Sequence, residues 1–145
     1  MKIVFDIDGT LADCGHRLHY IHRGQKNWDA FFKACDDDTP ISAGVNLLRA
    51  LIFTDMHTIE LWTGRPERSR EATMNWLRAH AGVSRWDYTL RMRADGDHRP
   101  DTVVKLEFFD ACGFMPDIIF DDRTSVVEAY RARGLTVYQV APGNY

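Results

Sequence analysis

The chain has 145 residues and a net charge of −3 at pH 7, with 45% hydrophobic and 27% charged residues. This balance predicts one compact soluble domain, 1–145, and excludes an intrinsically disordered chain. No apolar stretch has the length of a signal peptide or a membrane span, and the three cysteines form no CxxC pair. We therefore expect a cytoplasmic protein with free thiols and no membrane partner.

The predicted elements alternate between short strands and longer helices. Strands rich in β-branched and aromatic residues are predicted at 2–5, 57–62, 88–92, 117–120 and 135–140. Helices, each with a proline before it or a glycine after it, are predicted at 41–52, 67–81, 101–112 and 124–133. This alternation predicts a three-layer, doubly wound (Rossmann-like) α/β domain with a parallel sheet of about five strands.

Residues 11–39 follow the first predicted strand without a regular hydrophobic period. Because the segment is long and polar with several aromatic residues, we interpret it as a flap or small cap inserted after that strand. Its Trp28, Phe31 and Phe32 are either a stacking surface for a base or the flap's own small core.

The same segment also holds His16, His19 and His22. A spacing of three drifts around a helix axis and is a poor arrangement for metal ligands. Contact with the base or sugar of a substrate is the preferred hypothesis for these histidines.

Two acidic residues end the first predicted strand in the motif DIDGT at 6–10. Asp6 and Asp8 would lie at the carboxyl edge of the sheet, where doubly wound folds place their sites. Alternate residues of an extended chain share a face, so both carboxylates can meet one ligand. Gly9 allows a tight turn close to an anion, although such a motif alone could be a solvated turn.

Three later groups are predicted to reach the same edge: Thr63-Gly64-Arg65, Lys105 and Asp121-Asp122. Lys105 is near the start of its predicted helix, and helical side chains lean toward the amino terminus, so its ammonium should point over this edge. Asp121-Asp122 could also cap the helix that follows it. Any one of these groups alone could be a turn or a helix cap. Four of them in this order are much harder to explain in that way.

These residue types predict the removal of a phosphate group. Asp6 and Asp121 are oxygen ligands suited to Mg²⁺, which would offset repulsion between an acidic nucleophile and an anionic substrate. The Thr63 hydroxyl and the Lys105 ammonium can hold phosphoryl oxygens. Asp8 can then protonate the leaving oxygen and later activate the water that opens the acyl phosphate.

On these residues the chain resembles the haloacid dehalogenase superfamily of phosphatases, whose four motifs match DIDGT at 6–10, Thr63, Lys105 and Asp121-Asp122. The resemblance implies that Asp6 is the nucleophile and Asp8 the general acid and base. It also implies a Mg²⁺ site formed by the Asp6 carboxylate, the Asp8 backbone carbonyl and Asp121, with Asp122 supporting the metal.

Segments 93–105, 121–128 and 139–145 are similar to the phosphatase domains of phage-type polynucleotide kinases, which remove 3'-phosphates from nucleic-acid ends and nucleotides. The resemblance implies that Arg17, Arg65 and Arg93 contact the substrate phosphate. Together with Thr63, Gly64 and Lys105 they are the predicted substrate-binding residues. The chain contains no P-loop motif GxxxxGK[ST], and Thr63 stands where that family often has serine.

The predicted function is therefore a Mg²⁺-dependent phosphomonoesterase that acts through an aspartyl-phosphate on nucleotide or polynucleotide phosphates, with the 3' position preferred. One alternative is a 5'-nucleotidase that acts on free nucleoside or deoxynucleoside monophosphates. A non-enzymatic phospho-receiver switch is disfavoured, because the strand 88–92 ends in Arg93 without an adjacent acid. The predicted partner is a nucleotide or nucleic-acid 3'-phosphate end, and the sequence indicates no obligate protein partner.

Overall fold

Five parallel strands form the central sheet of the computed structural model, which describes residues 1–22, 24 and 26–143. They are β1 Lys2–Phe5, β4 Thr58–Pro66, β5 Thr89–Arg93, β6 Ile118–Arg123 and β7 Val137–Gly143. The strand order is β5-β4-β1-β6-β7, and every neighbouring pair is parallel. The predicted fold class is confirmed.

Two helices cover each face of the sheet. They are α3 Ser42–Phe53 and α4 Arg70–Ala81 on one face, and α5 Asp101–Ala111 and α6 Thr124–Ala132 on the other. The alternation of side chains along β1 produces this division, because Ile3 and Phe5 pack into the core with α3 and α4. Val4 points to the opposite face and packs into the core with α5 and α6.

Proline and glycine mark the helix ends near the predicted positions. Pro66 is followed by a 3₁₀ turn, Glu67–Ser69, before α4 begins, and Pro100 precedes α5. Gly82 ends α4 with a left-handed φ of 65°, and its N–H donates to the Arg78 carbonyl. None of the helices in the described residues is long and apolar enough to cross a membrane.

The segment 11–39, which we call the flap, contains several short elements between β1 and α3. They are β2 Ala12–Asp13, α1 His19–His22, α2 Trp28–Lys33 and β3 Thr39–Pro40, with 3₁₀ turns at Gly15–Arg17 and Ala34–Asp37. Strands β2 and β3 pair in antiparallel fashion. The flap has a small core of its own in Cys14, Ile21 and Phe31. Its helices are too short to show a hydrophobic period in the sequence.

Four strands extend beyond their predicted ends: β5 to Arg93, β7 to Gly143, and β4 and β6 into the polar motifs. The prediction ended β4 at Trp62 and β6 at Phe120, whereas both strands continue through the polar residues that follow. Strand β4 pairs with β5 again at Pro66 after an irregularity, and β6 pairs with β7 as far as Arg123. Pairing with the neighbouring strands therefore holds the polar motifs in fixed positions at the carboxyl edge of the sheet.

Candidate active site

Three buried carboxylates meet at the carboxyl ends of the adjacent strands β1 and β6. Asp6, Asp121 and Asp122 are at most 5% exposed, and each offers an oxygen that lies within 4.8 Å of the other two. Lys105 extends from α5 into this cluster, with its Nζ 2.8 Å from Asp6 Oδ1 and 2.7 Å from Asp121 Oδ2. The structure thus brings together four residues from three of the predicted motifs.

The charges of this cluster fit a divalent cation. Burial raises the pKa of Asp6 well above that of an ordinary aspartate, and Lys105 offsets only part of the rise. Burial lowers the pKa of Lys105, but the charges of Asp121 and Asp6 outweigh burial and raise it. Three carboxylates and one ammonium leave two negative charges in a buried space, and oxygen ligands of this kind suit Mg²⁺.

Asp8 lies in a different charge network from Asp6. Its Oδ1 accepts hydrogen bonds of 2.6 Å from Arg17 Nη2 and from Arg65 Nη2. Burial raises the pKa of Asp8, but the charges of Arg65 and Arg17 outweigh burial and lower it to about 2. Asp8 is therefore a carboxylate at neutral pH, and its side chain is engaged by arginines outside the three-acid cluster. A contact between Asp8 and a metal would have to come from its backbone carbonyl.

Asp38 completes this network from the flap. Its Oδ2 accepts hydrogen bonds of 2.6 Å from Arg17 and 2.8 Å from Arg65, and its Oδ1 lies 2.8 Å from His16 Nε2. Both guanidinium groups and the Asp38 side chain are fully buried. Because Arg17 and Asp38 belong to the flap while Asp8 follows β1 and Arg65 lies in β4, the network holds the flap beside Asp8.

A second group of charged residues surrounds Asp101, the first residue of α5. The Asp101 carboxylate accepts hydrogen bonds from Arg93 and from Arg123. Arg93 also donates through Nε to the Gly64 carbonyl at 3.0 Å. A Cβ on Gly64 would lie 2.7 Å from Asp101 Oδ1, so only glycine leaves room for this carboxylate.

One cavity of about 270 Å³ connects the catalytic motifs with the flap. Its lining combines charged residues with aromatic ones: Asp6, Asp8, Gly64, Arg93, Asp101, Lys105, Asp122 and Arg123 with Trp28, Phe31 and Phe32. Three other predicted site residues, Thr63, Arg17 and Arg65, are 0% exposed. The Thr63 hydroxyl accepts a hydrogen bond of 3.2 Å from the Arg65 backbone N–H.

The closing segment of the chain packs against Asp122. Gln139 Nε2 donates to the Asp122 carbonyl at 2.9 Å, and a Cβ on Gly143 would lie 2.4 Å from Asp122 Oδ2. Asn144 and Tyr145, which belong to the predicted 139–145 segment, lie outside the described residues. The cap residue of α6 is Arg123, which makes no side-chain cap hydrogen bond, but Asp121 Oδ1 accepts a hydrogen bond of 3.0 Å from the Arg123 backbone N–H beside the start of this helix.

Sequence reasoning missed three charged residues of the site: Asp38, Asp101 and Arg123. Asp101 opens a helix, and aspartate is common in the first turn for reasons of helix stability alone. Asp38 follows two other aspartates in a segment without a hydrophobic period. The sequence carries no signal that separates Asp38 from its neighbours, because its partners are distant in the chain.

The parallel sheet, the acidic residues after β1, the lysine from α5 and the acid pair on β6 are the arrangement of a phosphatase of the haloacid dehalogenase type. The family comparison finds a phosphatase domain and so contradicts the alternative of a non-enzymatic phospho-receiver switch. The model of one family, the phosphatase domain of the polynucleotide kinase PNKP, matches residues 1–145. The chain belongs to this family.

Two groups of solved structures are similar to the chain. A chain of the Pnkp1/Rnl/Hen1 RNA repair complex matches with a TM-score of 0.78 and 25% identity, over 99% of this chain and 43% of that chain. A chain from a second structure of the Pnkp1/Rnl/Hen1 complex matches with a TM-score of 0.76 and 25% identity, over 99% of this chain and 47% of that chain. The chain thus spans less than half the length of these relatives. A haloacid dehalogenase-like hydrolase from Streptococcus pneumoniae shares the fold, with a TM-score of 0.59 and 13% identity over 94% of this chain and 82% of that chain.

Proposed function

We propose that the chain is a Mg²⁺-dependent phosphomonoesterase that removes phosphates from polynucleotide ends or nucleotides, with a preference for the 3' position. The observation that carries the proposal is the position of Asp6, a buried carboxylate that lines the cavity 2.8 Å from Lys105. Membership of a polynucleotide kinase phosphatase family and similarity to a chain of an RNA repair complex support a nucleic-acid substrate.

In the first step, an Asp6 oxygen attacks the phosphorus and forms an aspartyl-phosphate, and the bond from phosphorus to the leaving oxygen breaks. Asp8, a carboxylate in the substrate-free site, takes up a proton from solvent when the anionic substrate binds and passes this proton to the leaving oxygen. Lys105 and the Thr63 hydroxyl hold phosphoryl oxygens. In the second step, Asp8 takes a proton from water, which attacks phosphorus and releases phosphate with regeneration of Asp6. Asp6, Asp121 and the Asp8 backbone carbonyl, with Asp122 in support, would hold a Mg²⁺ ion, and this ion would supply charge stabilisation of the phosphoryl group.

The arginines divide into two roles in this proposal. Arg17 and Arg65 are buried and hydrogen-bonded to Asp8, so we assign them to the positioning of Asp8. Arg93 lines the cavity and is held by Asp101, so we assign it to the substrate phosphate together with Gly64. Arg123 lines the same cavity and shares Asp101 with Arg93.

Initial rates on a panel of phosphate esters test this function. The panel contains a 3'-phosphorylated oligonucleotide, nucleoside 3'-monophosphates and nucleoside 5'-monophosphates, each assayed with Mg²⁺ and with EDTA. We expect Mg²⁺-dependent phosphate release, with the highest kcat/KM on the 3'-phosphates. Turnover of free 5'-monophosphates alone would establish a 5'-nucleotidase instead, and undiminished activity in EDTA would contradict the metal requirement.

The compartment we propose is the cytoplasm. Cys14, Cys35 and Cys112 all lie in the described part of the chain and are free thiols there. Free thiols are typical of a reducing compartment.

A further inference from the structure

We propose that the flap binds the base of the nucleotide whose phosphate is removed, and that Trp28 is the residue that stacks against this base. The inference rests on the proposed function, because it requires a nucleotide at the phosphate site. It names a specificity-determining residue for that reaction.

The first argument is the continuity of the cavity. The same cavity is lined by Asp6 and Lys105 at the phosphate site and by Trp28 and Phe32 in the flap. Its volume of about 270 Å³ approaches the roughly 300 to 1,000 Å³ of ordinary small-molecule sites. A group attached to the phosphate therefore has space beside the aromatic side chains of the flap.

The second argument is the division of roles among the three aromatic residues. Phe31 is 3% exposed and belongs to the flap's small core, whereas Trp28 keeps 37% of its surface exposed. The Trp28 ring contacts Phe31 edge-on at 5.7 Å and stacks with Phe32 at 5.9 Å. The structure thus shows the core alternative for Phe31, whereas Trp28 offers an aromatic surface to the cavity.

The third argument is that Trp28 is held in place before any substrate arrives. The Asn27 side chain caps α2 by accepting from the Ala30 N–H at 3.0 Å. Arg68, which lines the cavity, donates to Asp29 at 2.5 Å and so links α2 to the turn Glu67–Ser69 that follows β4. A fixed ring loses little conformational freedom when a base stacks on it, which favours binding.

The aromatic residues are also connected to the catalytic network. The Arg17 guanidinium lies 4.1 Å from the centre of the Phe31 ring, and Arg17 holds Asp8 through a hydrogen bond of 2.6 Å. The positions of the flap aromatics and of Asp8 therefore depend on one shared side chain. Lys26, an exposed residue, places its ammonium 5.7 Å from the Trp28 ring and adds positive charge beside it.

Two substrates that differ only in the base provide the test. One is a 3'-phosphorylated oligonucleotide with an ordinary terminal nucleotide, and the other has an abasic terminal nucleotide with the same 3'-phosphate. We expect Trp28→Ala to lower kcat/KM on the first substrate by roughly ten- to a hundredfold, the scale of one base-aromatic stack. On the abasic substrate its rate should stay within about twofold of wild type, and Trp28→Phe should retain most activity on both.

Trp86→Ala is the matched control. Trp86 is 82% exposed and lies beside Arg85 in the loop between α4 and β5, at the opposite edge of the sheet. Trp86→Ala should leave the rates on both substrates unchanged. Equal losses on both substrates for Trp28→Ala would show that Trp28 only supports the flap, and no loss on either would exclude contact with the base. Both results overturn the inference.

Fluorescence gives a second readout that needs no turnover. In an Asp6→Asn background with Mg²⁺, a nucleoside 3'-monophosphate should quench tryptophan emission, and Trp28→Phe should remove most of the quenching while Trp86→Phe does not. Equal quenching in all variants, or its absence, would contradict base stacking. If wild-type protein hydrolyses neither 3'-phosphorylated substrate, the proposed function fails, and the fluorescence result still decides the role of Trp28.

Discussion

At the scale of single residues, the backbone geometry of the carboxyl edge determines what each functional group does. Asp6 and Asp8 are two residues apart, yet Asp6 joins the buried acid cluster while Asp8 is held by arginines. The two carboxylates therefore differ in environment, which suits two different roles, nucleophile and proton-transfer group.

The Thr63 hydroxyl is predicted to stabilise the transferred phosphoryl group. Thr63→Ala removes this donor, and kcat should fall by about 10² to 10³, the scale for one oxyanion donor. Thr63→Ser keeps the hydroxyl and is the control, so its kcat should stay near that of wild type in steady-state assays. Similar losses in both variants would mean that the threonine methyl group, and not the hydroxyl, is what the site requires.

Gly64 is predicted to be required because of Asp101. In Gly64→Ala the new methyl group would lie 2.7 Å from Asp101 Oδ1 and displace the carboxylate that holds Arg93 and Arg123. We expect Gly64→Ala to have a lower kcat/KM than wild type. The same assay is made on Asp101→Ala and on the double variant. The two substitutions should be strongly non-additive, since both disturb the same contact. Fully additive losses would contradict this explanation.

At the scale of elements, the flap is attached to the sheet by buried charges. Arg17 and Asp38 of the flap form hydrogen bonds with Asp8 and Arg65 near the sheet, and three of these four side chains have no exposed surface. Buried charges are tolerated when each has its partners, and the loss of one partner leaves the others unpaired.

The stability of the flap should therefore depend on Asp38. Asp38→Asn removes the negative charge between two buried guanidinium groups and should lower the free energy of unfolding by about 3 to 5 kcal/mol, measured by urea denaturation. Asp29→Asn breaks the exposed pair with Arg68 and should cost less than about 1 kcal/mol. Equal effects of the two substitutions would contradict the importance of burial.

Elements with a regular spacing of apolar residues could be predicted from the sequence. Those that are defined by contacts with other elements could not. The helices α3 to α6 and all five sheet strands were predicted, because their apolar residues recur at regular positions and prolines or glycines mark their ends. The prediction ends β4 and β6 before their polar residues, because these residues are strands only through pairing with β5 and β7. Asp38 and Asp101 were missed because the partners that define them come from other elements.

At the scale of the whole molecule, net charge says little about a polynucleotide substrate. The chain is acidic overall at −3, and residues 61–100 contain eight arginines against five acids. Many of these arginines are engaged by acids, including Arg68 with Asp29, Arg70 with Glu67 and Arg91 with Glu60. Among the residues that the structure describes, several cations around the cavity are therefore already paired with acids.

Salt should consequently have a measurable but limited effect on the rate with oligonucleotides. Each phosphate contacted releases counterions, with a slope of log K against log salt concentration of about −0.7 per phosphate for single strands. We expect kcat/KM for a 3'-phosphorylated oligonucleotide to fall with salt more steeply than for the matching 3'-mononucleotide. Identical salt dependence for both would indicate that the protein contacts only the terminal nucleotide.

The central claim is that Asp6 forms a covalent bond to phosphorus, and rapid acid quenching tests it most directly. The substrate is an oligonucleotide with a radiolabelled 3'-phosphate, and wild-type protein is quenched with acid during the first turnover, because a substitution of Asp8 would slow the formation of the acyl phosphate as well as its hydrolysis. We predict a hydroxylamine-labile phosphoryl group on the peptide that contains Asp6, and none in Asp6→Asn. Phosphate release by Asp6→Asn at the wild-type rate, or label on another residue, would contradict the account.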